Sequence, residues 1–251
     1  MSVLELENVS KSFGGIRAVD GVSIGFDAGK VTGLIGPNGA GKTTLFNLIS
    51  GFLHPDEGDI QYHERSIVGL TPWHIARMGI GRLFQDVRVF NRMTVLENVM
   101  VAFEHRMGES WFKALFLRPR VMRQENALRE RAMELLEFVG LAKHAHSFAE
   151  DLSFGQQKLL SIARLLAADA DVLLLDEPTA GVSPQMIEPL LTLIRKLAEG
   201  GKTPIVIEHN MNVIMEVCDW VYFMDDGQVI AFGLPDEVLN DREVRAVYIG
   251  L

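Results

Sequence analysis

Residues 31–49 read VTGLIGPNGAGKTTLFNLI, and this stretch decides the fold. Residues 31–35 form a short, mostly apolar run that predicts a buried strand, and residues 45–49 predict a helix. Between them lies Gly36-x-x-x-x-Gly41-Lys42-Thr43, which has the spacing of a phosphate-binding loop. The order of strand, glycine-rich loop and helix predicts an α/β protein.

The loop has the chemistry that a nucleotide requires. Glycines allow backbone N–H groups to turn around a phosphate, and the N-terminus of the following helix adds positive potential. Lys42 supplies a charge for the β- and γ-phosphates, and Thr43 is a candidate Mg²⁺ ligand. The alternative is a glycine-rich turn that matches by chance. The residues predicted to hold the nucleotide here are Gly36, Pro37, Asn38, Gly39, Ala40, Gly41, Lys42, Thr43 and Thr44.

Two carboxylates follow a second apolar strand, at residues 172–175. Asp176 ends that strand, at the edge where ligands of parallel sheets bind, and we predict that it holds Mg²⁺ through water. Glu177 comes next and is a candidate to polarise the water that attacks the γ-phosphate. A solvated acidic pair at a strand end is the alternative reading of these two residues.

The rest of the chain extends this pattern. Alternating residues at 4–9 and 22–26 predict antiparallel strands, and the turn Asp225-Asp226-Gly227 predicts a hairpin. Residues 172–175 and 204–207, with a helical segment between them, predict a βαβ unit. From residue 86 to 152 helical patterns dominate, including one at 120–139, and indicate an inserted helical subdomain.

Composition excludes several classes of protein. The 251 residues carry 24 Lys and Arg against 33 Asp and Glu, a net charge of −9, which disfavours a nucleic-acid-binding face. Cys218 is the single cysteine and cannot form an internal disulfide. We see no secretion signal and no apolar run near the ~20 residues that cross a bilayer.

Further motifs stand in a diagnostic order along the chain. They are Phe13, Gln85 within LFQD, Leu152-Ser153-Phe154-Gly155-Gln156-Gln157, and His209 within IEHN. Together with the loop and Asp176-Glu177, they make the sequence resemble the nucleotide-binding subunit of an ATP-binding-cassette (ABC) transporter across nearly its whole length.

The resemblance implies a fold and an activity. It implies a P-loop NTPase (RecA-like) α/β core with an N-terminal antiparallel β subdomain, in one ABC ATPase domain over 1–251. The core would take residues 1–85 and 160–251, and the helical subdomain residues 86–159. The cofactors implied are ATP and Mg²⁺, and the reaction is ATP hydrolysis coupled to transport.

The resemblance also assigns roles to single residues. Phe13 would stack on adenine, Gln85 would touch Mg²⁺, and His209 would contact the γ-phosphate. The implied catalytic residues are Glu177, His209, Gln85 and Lys42, and the implied metal ligands are Thr43, Gln85 and Asp176. Ser153, Gly155 and Gln156 would meet ATP held by a second ABC ATPase subunit.

Two departures from the family pattern stand out. Phe154 replaces the usual second glycine of the signature, and Ser183 stands where many members have an aspartate. The first affects backbone approach to a phosphate, and the second weakens cross-subunit contacts. Neither removes a residue assigned to hydrolysis.

A finer resemblance is to the ATPase subunits of branched-chain amino acid importers. It rests on five segments and on the insertion at 108–116; the segments are 13–15, 82–85, 90–99, 154–157 and 233–239. Urea-type importers and lipopolysaccharide exporters share the style of the last segment and remain alternatives. A soluble, non-transport ABC ATPase is the rival from another class, and the single phosphate loop disfavours it.

This resemblance implies partners and a location. The partners are integral-membrane permease subunits, a second ATPase subunit that is a copy or a relative, and indirectly an external solute-binding protein. The protein would lie peripherally on the cytoplasmic face of the cell membrane. Residues 87–93, directly after Gln85, are the candidate contact for a permease helix. The apolar residues of the insertion, Trp111 to Leu117, either pack internally or form a partner patch.

Overall fold

The structure is a computed structural model and describes residues 2–103 and 118–249. The chain divides into two compact units. Of the described residues, the first unit takes those within 1–85, 170–180 and 184–251, and the second takes those within 86–169 and 181–183. The residues of the insertion at 108–116 lie outside the described part.

A six-stranded sheet forms the centre of the first unit. Its strand order is β10-β9-β3-β8-β7-β6, with β10 antiparallel and the other neighbours parallel. Every residue of β3, β7 and β8 is buried, as expected for parallel strands covered on both faces. The strands are β3 Thr32–Ile35, β6 Ile80–Leu83, β7 Val172–Asp176, β8 Thr203–Ile207, β9 Trp220–Asp225 and β10 Gln228–Gly233.

A four-stranded antiparallel sheet completes the strands of this unit. Its order is β2-β1-β4-β5, and the strands are β1 Ser2–Phe13, β2 Ile16–Asp27, β4 Glu57–Tyr62 and β5 Arg65–Ser66. The Tyr222 hydroxyl of β9 donates to the Gly25 carbonyl of β2 at 3.0 Å, which ties the two sheets together. The predicted antiparallel opening and the hairpin at residues 225–227 are confirmed.

Helices cover the central sheet. Phe46 of α1 is fully buried in the same apolar cluster as Phe26 of β2 and Leu174 of β7. The helices of the first unit are α1 Lys42–Ile49, α2 Pro72–Met78, α6 Pro184–Glu199, α7 Met211–Val217, α8 Pro235–Asn240 and α9 Arg242–Ile249. Among the described residues, no helix is both long and apolar enough to cross a membrane.

The second unit is helical. Its helices are α3 Val95–Met100, α4 Arg118–Phe138 and α5 Phe154–Ala167, with short 3₁₀ turns at Ala142–His144 and Ala149–Asp151. Helix α4 ends at Phe138, and Gly140, with a left-handed φ of 78°, terminates the helical conformation. Because α5 lies wholly in this unit, the chain returns to the first unit at residue 170 and not at 160.

Local sequence pattern does not predict the elements of residues 57–83. This segment contains β4, β5, α2 and β6. Strand β6 has four residues, IGRL, and includes both a glycine and an arginine, so its pattern carries too little periodicity to indicate a strand. Residues 80–83 form a strand because they pair with β7 in the sheet.

Candidate functional site

The glycine-rich loop connects β3 to α1, as predicted. Gly41 precedes the helix with φ 100°, and a Cβ there would lie 2.2 Å from the Ala18 carbonyl oxygen. Only glycine fits this position. Gly39 also has a positive φ, 87°, but a Cβ there would meet no atom within 4 Å. The loop is therefore tight against the protein at Gly41 and open at Gly39.

Lys42 lies inside the loop that precedes it. Its Nζ donates to the carbonyl oxygens of Gly36 at 2.8 Å and Pro37 at 2.7 Å, and the residue is 6% exposed. Burial lowers the pKa of the Lys42 ammonium, and the charges of Glu177 and Asp176 partly offset that effect. A cation is thus held at the centre of the loop.

The N-terminus of α1 is left open by the chain. No side chain caps it, and no acidic residue occupies its first turn. The first N–H groups of a helix have no partner within the helix. Together with Lys42 they form a site of positive potential suited to a phosphate. Of the neighbouring loop residues, Asn38 and Thr43 are exposed, whereas Ala40 is buried.

Asp176 ends β7 and is 6% exposed. Its Oδ2 forms an ion pair with Arg82 of β6 at 3.0 Å. Arg82 also donates to Asn47 Oδ1 at 2.7 Å and to Ser50 Oγ at 3.2 Å. Nothing in the local sequence around Arg82 predicts that it meets a carboxylate 94 residues away.

The Glu177 side chain contacts two other predicted catalytic residues, Gln85 and His209. Gln85 Nε2 donates to Glu177 Oε2 at 3.1 Å, and His209 Nε2 lies 3.2 Å from Glu177 Oε1. The backbone of Glu177 has φ 46°, a left-handed conformation that non-glycine residues adopt rarely, and its N–H donates to the Ile207 carbonyl at 2.9 Å. The turn after β7 therefore directs this carboxylate towards side chains of the loops that follow β6 and β8.

A second buried contact supports this turn and was also missed. Glu208, 3% exposed, accepts from the Thr179 N–H at 2.8 Å and from the Thr179 hydroxyl at 2.6 Å. Glu208 precedes His209, and Thr179 follows Glu177 by two residues. The contact thus joins the loops that carry the two side chains.

The adenine-stacking candidate is a partly exposed aromatic residue of the first unit. Phe13 ends β1, and its ring is 45% exposed, with Lys11 Nζ 5.8 Å from the ring centroid. Exposure leaves its face accessible to a planar ligand.

The signature residues lie at the start of α5 in the second unit. The Ser153 hydroxyl accepts from the Gln156 N–H at 3.4 Å, and Gln156 Oε1 accepts from the Ser153 N–H at 2.9 Å, which is a capping box. Phe154 is 42% exposed, with Lys158 Nζ 5.2 Å from its ring centroid. Its ring also packs against Gly181, where an added Cβ would lie 3.0 Å from Cε1 of Phe154.

The segment after Gln85 is held from within the second unit. Asn98, fully buried, accepts from the Phe90 N–H at 2.9 Å and donates to the Phe90 carbonyl at 3.0 Å. The Arg164 guanidinium lies 4.8 Å from the centroid of the Phe90 ring, which is 49% exposed. A backbone held by side-chain hydrogen bonds thus carries an exposed aromatic side chain.

These donors fit a nucleotide with Mg²⁺. Gly39 leaves room beside the loop, Lys42 carries the charge, and α1 offers free N–H groups. In the described part of the chain, no group of three or more His, Cys, Asp or Glu residues could hold a metal ion alone. Mg²⁺ in nucleotide sites needs only one or two carboxylates, because phosphates and water complete its shell.

A loop of this kind between a buried parallel strand and a helix, with carboxylates at the neighbouring strand end, defines a P-loop NTPase. The profile of the family described as "ABC transporter" matches residues 19–180. The chain belongs to the ABC transporter family, whose members are ATPases.

Known proteins of this family resemble the chain over most of its length. LivG of Salmonella typhimurium, a high-affinity branched-chain amino acid transport ATP-binding protein, is 39% identical over 99% of this chain and 98% of its own. The crystal structure of a nucleotide-free ATP-binding cassette from an ABC transporter superposes with a TM-score of 0.85 at 38% identity, covering both chains completely. A dimeric, post-hydrolysis structure of the cassette MJ0796 bound to ADP and Pi gives 0.76 at 28% identity, over 92% of this chain and 98% of that one. The fold and family predictions are confirmed.

Proposed function

We propose that this chain is the ATP-binding and ATP-hydrolysing subunit of an importer for branched-chain amino acids. The observation that carries the proposal is the placement of Gln85 and His209 on the two carboxylate oxygens of Glu177. A general base for hydrolysis needs a fixed orientation, and the nitrogen atoms of Gln85 and His209 provide it for Glu177.

The nucleotide would occupy the loop at residues 36–44 and the ring of Phe13. Lys42 would exchange its loop carbonyls for β- and γ-phosphate oxygens, a charge-assisted contact stronger than the neutral-acceptor bonds it makes now. Thr43, Asp176 and Gln85 would hold Mg²⁺. When bound, this ion neutralises charge on the transferred phosphate.

Hydrolysis would follow from the arrangement around Glu177. Its carboxylate would orient a water molecule for attack on the γ-phosphate and accept its proton, while His209 and Gln85 keep the carboxylate in place. Lys42 would stabilise the charge that develops on the phosphate oxygens. This chain would therefore promote hydrolysis by positioning the attacking water and by stabilising negative charge on the phosphate oxygens.

A second ATPase subunit, a copy or a relative, would complete the site. Ser153, Gly155 and Gln156 would face the nucleotide of that subunit, since N–H groups at the start of α5 suit a phosphate. The dimer of MJ0796 supports this arrangement. We treat residues 1–251 as one functional ATPase domain whose core and helical parts are both needed for it.

The solute and the membrane partners rest on the relatives. LivG of Salmonella typhimurium is named for branched-chain amino acid transport, and its 39% identity extends over the whole chain. We propose that integral-membrane permease subunits anchor this protein at the cytoplasmic face of the membrane. An external solute-binding protein would act indirectly, and nucleic acid is no partner of this acidic chain.

The catalytic assignment is tested with Glu177→Gln. We expect ATP binding to persist and hydrolysis to fall by about 10²- to 10⁴-fold, because the general base is lost. Phosphate release and ATP binding are measured on the same preparation. Glu188→Gln, at an exposed position of α6, is the matched control. Hydrolysis by Glu177→Gln at the parent rate would refute the assignment.

The transport assignment is tested by purifying the tagged chain from detergent-solubilised native membranes and identifying its companions by mass spectrometry. We expect two permeases and a second ATPase subunit. Uptake of labelled leucine should then be lost when Glu177→Gln replaces the parent. Uptake of labelled urea instead of leucine would assign the protein to a urea-type importer. Loss of lipid export in the Glu177→Gln strain would assign it to a lipopolysaccharide exporter. Recovery without any permease would favour a soluble ATPase.

A further inference from the structure

Arg82 is held by several side chains, although the motifs for nucleotide binding and hydrolysis assign it no role. Its side chain is 6% exposed, and that of Asp176 is 9% exposed. Two nitrogen atoms of the guanidinium serve three acceptors, Asp176, Asn47 and Ser50. The third, Nε, is buried and has no hydrogen-bond partner among the described residues. The group is fixed in position by the first two.

Aromatic rings restrict the guanidinium further. Its central carbon lies 4.9 Å from the ring centroid of Phe84 and 5.6 Å from that of Phe46. Both distances fall within the range of cation–π attraction. The charge of Arg82 therefore cannot swing away from Asp176 without losing contacts on several sides.

The contacts of Arg82 connect two parts of the nucleotide site. Asn47 and Ser50 lie in the last turn and at the C-cap of α1, the end of the helix where a cation is favoured. The opposite end of the same helix carries Lys42. Asp176 is the carboxylate proposed as a Mg²⁺ ligand. Arg82 thus joins the rear of the phosphate-binding helix to that ligand.

We propose that Arg82 is a positioning residue that takes the place of the metal's positive charge while no metal is bound. A buried carboxylate with no counter-charge is strongly unfavourable. Arg82 neutralises Asp176 and orients it through Oδ2, and Oδ1 is outside this ion pair. A preformed, charged ligand then awaits the metal. This inference rests on the proposed function, since it takes Asp176 as a metal ligand.

The first test is a double-mutant cycle of Arg82→Gln, Asp176→Asn and their double variant, measured without nucleotide in buffer containing EDTA. We expect Arg82→Gln to lower the melting temperature by about 10 °C, because it leaves Asp176 buried without a partner. Arg82→Lys, which keeps the charge, should lose less than half of that. Arg82→Gln combined with Asp176→Asn should regain at least half, because the unpaired charge is gone. Arg65→Gln, at an exposed position of β5, is the control.

The second test adds Mg²⁺ and a non-hydrolysable ATP analogue. Because the metal supplies the missing charge, the increase in melting temperature should be larger for Arg82→Gln than for the parent, and the excess should vanish when EDTA replaces Mg²⁺. If Arg82→Gln does not fold, folding of the double variant gives the same support.

Two results would overturn the inference. One is additive losses in the cycle, including a double variant that fails to fold. The other is an equal or smaller Mg²⁺-dependent increase for Arg82→Gln. Either would mean that Arg82 serves packing through Asn47 and Ser50 alone. A parent chain that shows no increase with the Mg²⁺–analogue pair would instead refute the proposed nucleotide site, while the EDTA cycle would still measure the ion pair.

Discussion

The first N–H groups of helices α1 and α5 have no acceptor within their own helix, and the two helices differ in whether a side chain caps them. Gly41, the N-cap residue of α1, provides no side-chain cap, so the first N–H groups of this helix have no side-chain acceptor at the cap. Helix α5 starts at Ser153 with a reciprocal capping box to Gln156. The open end can take a phosphate directly. The capped end is already satisfied and must exchange partners before its N–H groups and hydroxyl can meet a ligand.

The comparison predicts that a single chain binds nucleotide more readily than it hydrolyses it. The open end of α1 lies in the same unit as Lys42, Asp176 and Glu177, so binding needs no partner. The capped end of α5 costs about 1 kcal/mol to uncap, a loss that contacts in a dimer would have to offset. The predictions below test this difference, from the largest expected effect to the smallest.

Gly41→Ala should destroy the open end. The added Cβ would lie 2.2 Å from the Ala18 carbonyl oxygen at a φ of 100°, so the loop must move. We expect a loss of about 3 kcal/mol in the free energy of unfolding and nucleotide affinity at least about 100-fold weaker. Gly201→Ala is the control, because its φ of 88° is similar but its Cβ would meet nothing within 4 Å. Urea unfolding and titration calorimetry measure both quantities. Equal behaviour of the two variants would contradict the close contact.

Lys42→Met should leave the open end intact but remove its charge. We expect ATP to bind about 10- to 100-fold more weakly, because a charge-assisted hydrogen bond is worth about 1.5–3 kcal/mol. The free energy of unfolding should change little, because burial of the Lys42 ammonium is itself unfavourable. Calorimetry with Mg²⁺ and ATP measures the affinity, and Lys196→Met on the exposed face of α6 is the control. Unchanged affinity would remove Lys42 from the site.

Ser153→Ala should affect the capped end alone. Loss of the cap costs about 1 kcal/mol, or roughly 2–4 °C in melting temperature, with single-chain ATP affinity unchanged. ATP-dependent dimerisation of the Glu177→Gln background, followed by light scattering, should fall. Thr94→Ala is a matched control, because Thr94 forms a capping box with Glu97 at the start of α3. If both variants impaired dimerisation equally, the capped end would have no special part in it.

The two ends should also differ in their response to pH. Burial lowers the pKa of Lys42 below its ordinary 10.5, so between the folded value and 10.5 the unfolded chain binds more protons. The free energy of unfolding should therefore rise with pH in that interval through Lys42, while ATP affinity, which needs the ammonium, should fall. Lys42→Met should lack both effects. The cap of α5 consists of a hydroxyl and an amide, and neither titrates there.

Most of the fold could be predicted from local pattern. The strand, glycine-rich loop and helix at residues 31–49 are close in sequence and need no distant partner to be recognised. The hairpin at residues 225–227 is equally local. Strand β6 could not be predicted, because its four residues form a strand only beside β7, about 90 residues further along the chain.

The candidate site divides in the same way. The residue types around Glu177 were predicted, since Gln85, Glu177 and His209 each stand in a short motif. Arg82 and Glu208 were not, because an ion pair or hydrogen bond across 94 or 29 residues leaves no periodic signal in a single sequence.

The sequence by itself determined the chemical groups and their order: a loop that must be rich in glycine, a lysine, and carboxylates at a strand end. The tertiary structure alone decided which of them meet. Parallel strands β6, β7 and β8 place Arg82, Asp176 and the Glu177 turn at one edge of a sheet. Because burial makes an unpaired charge unfavourable, each carboxylate there gains its partner from a distant part of the chain.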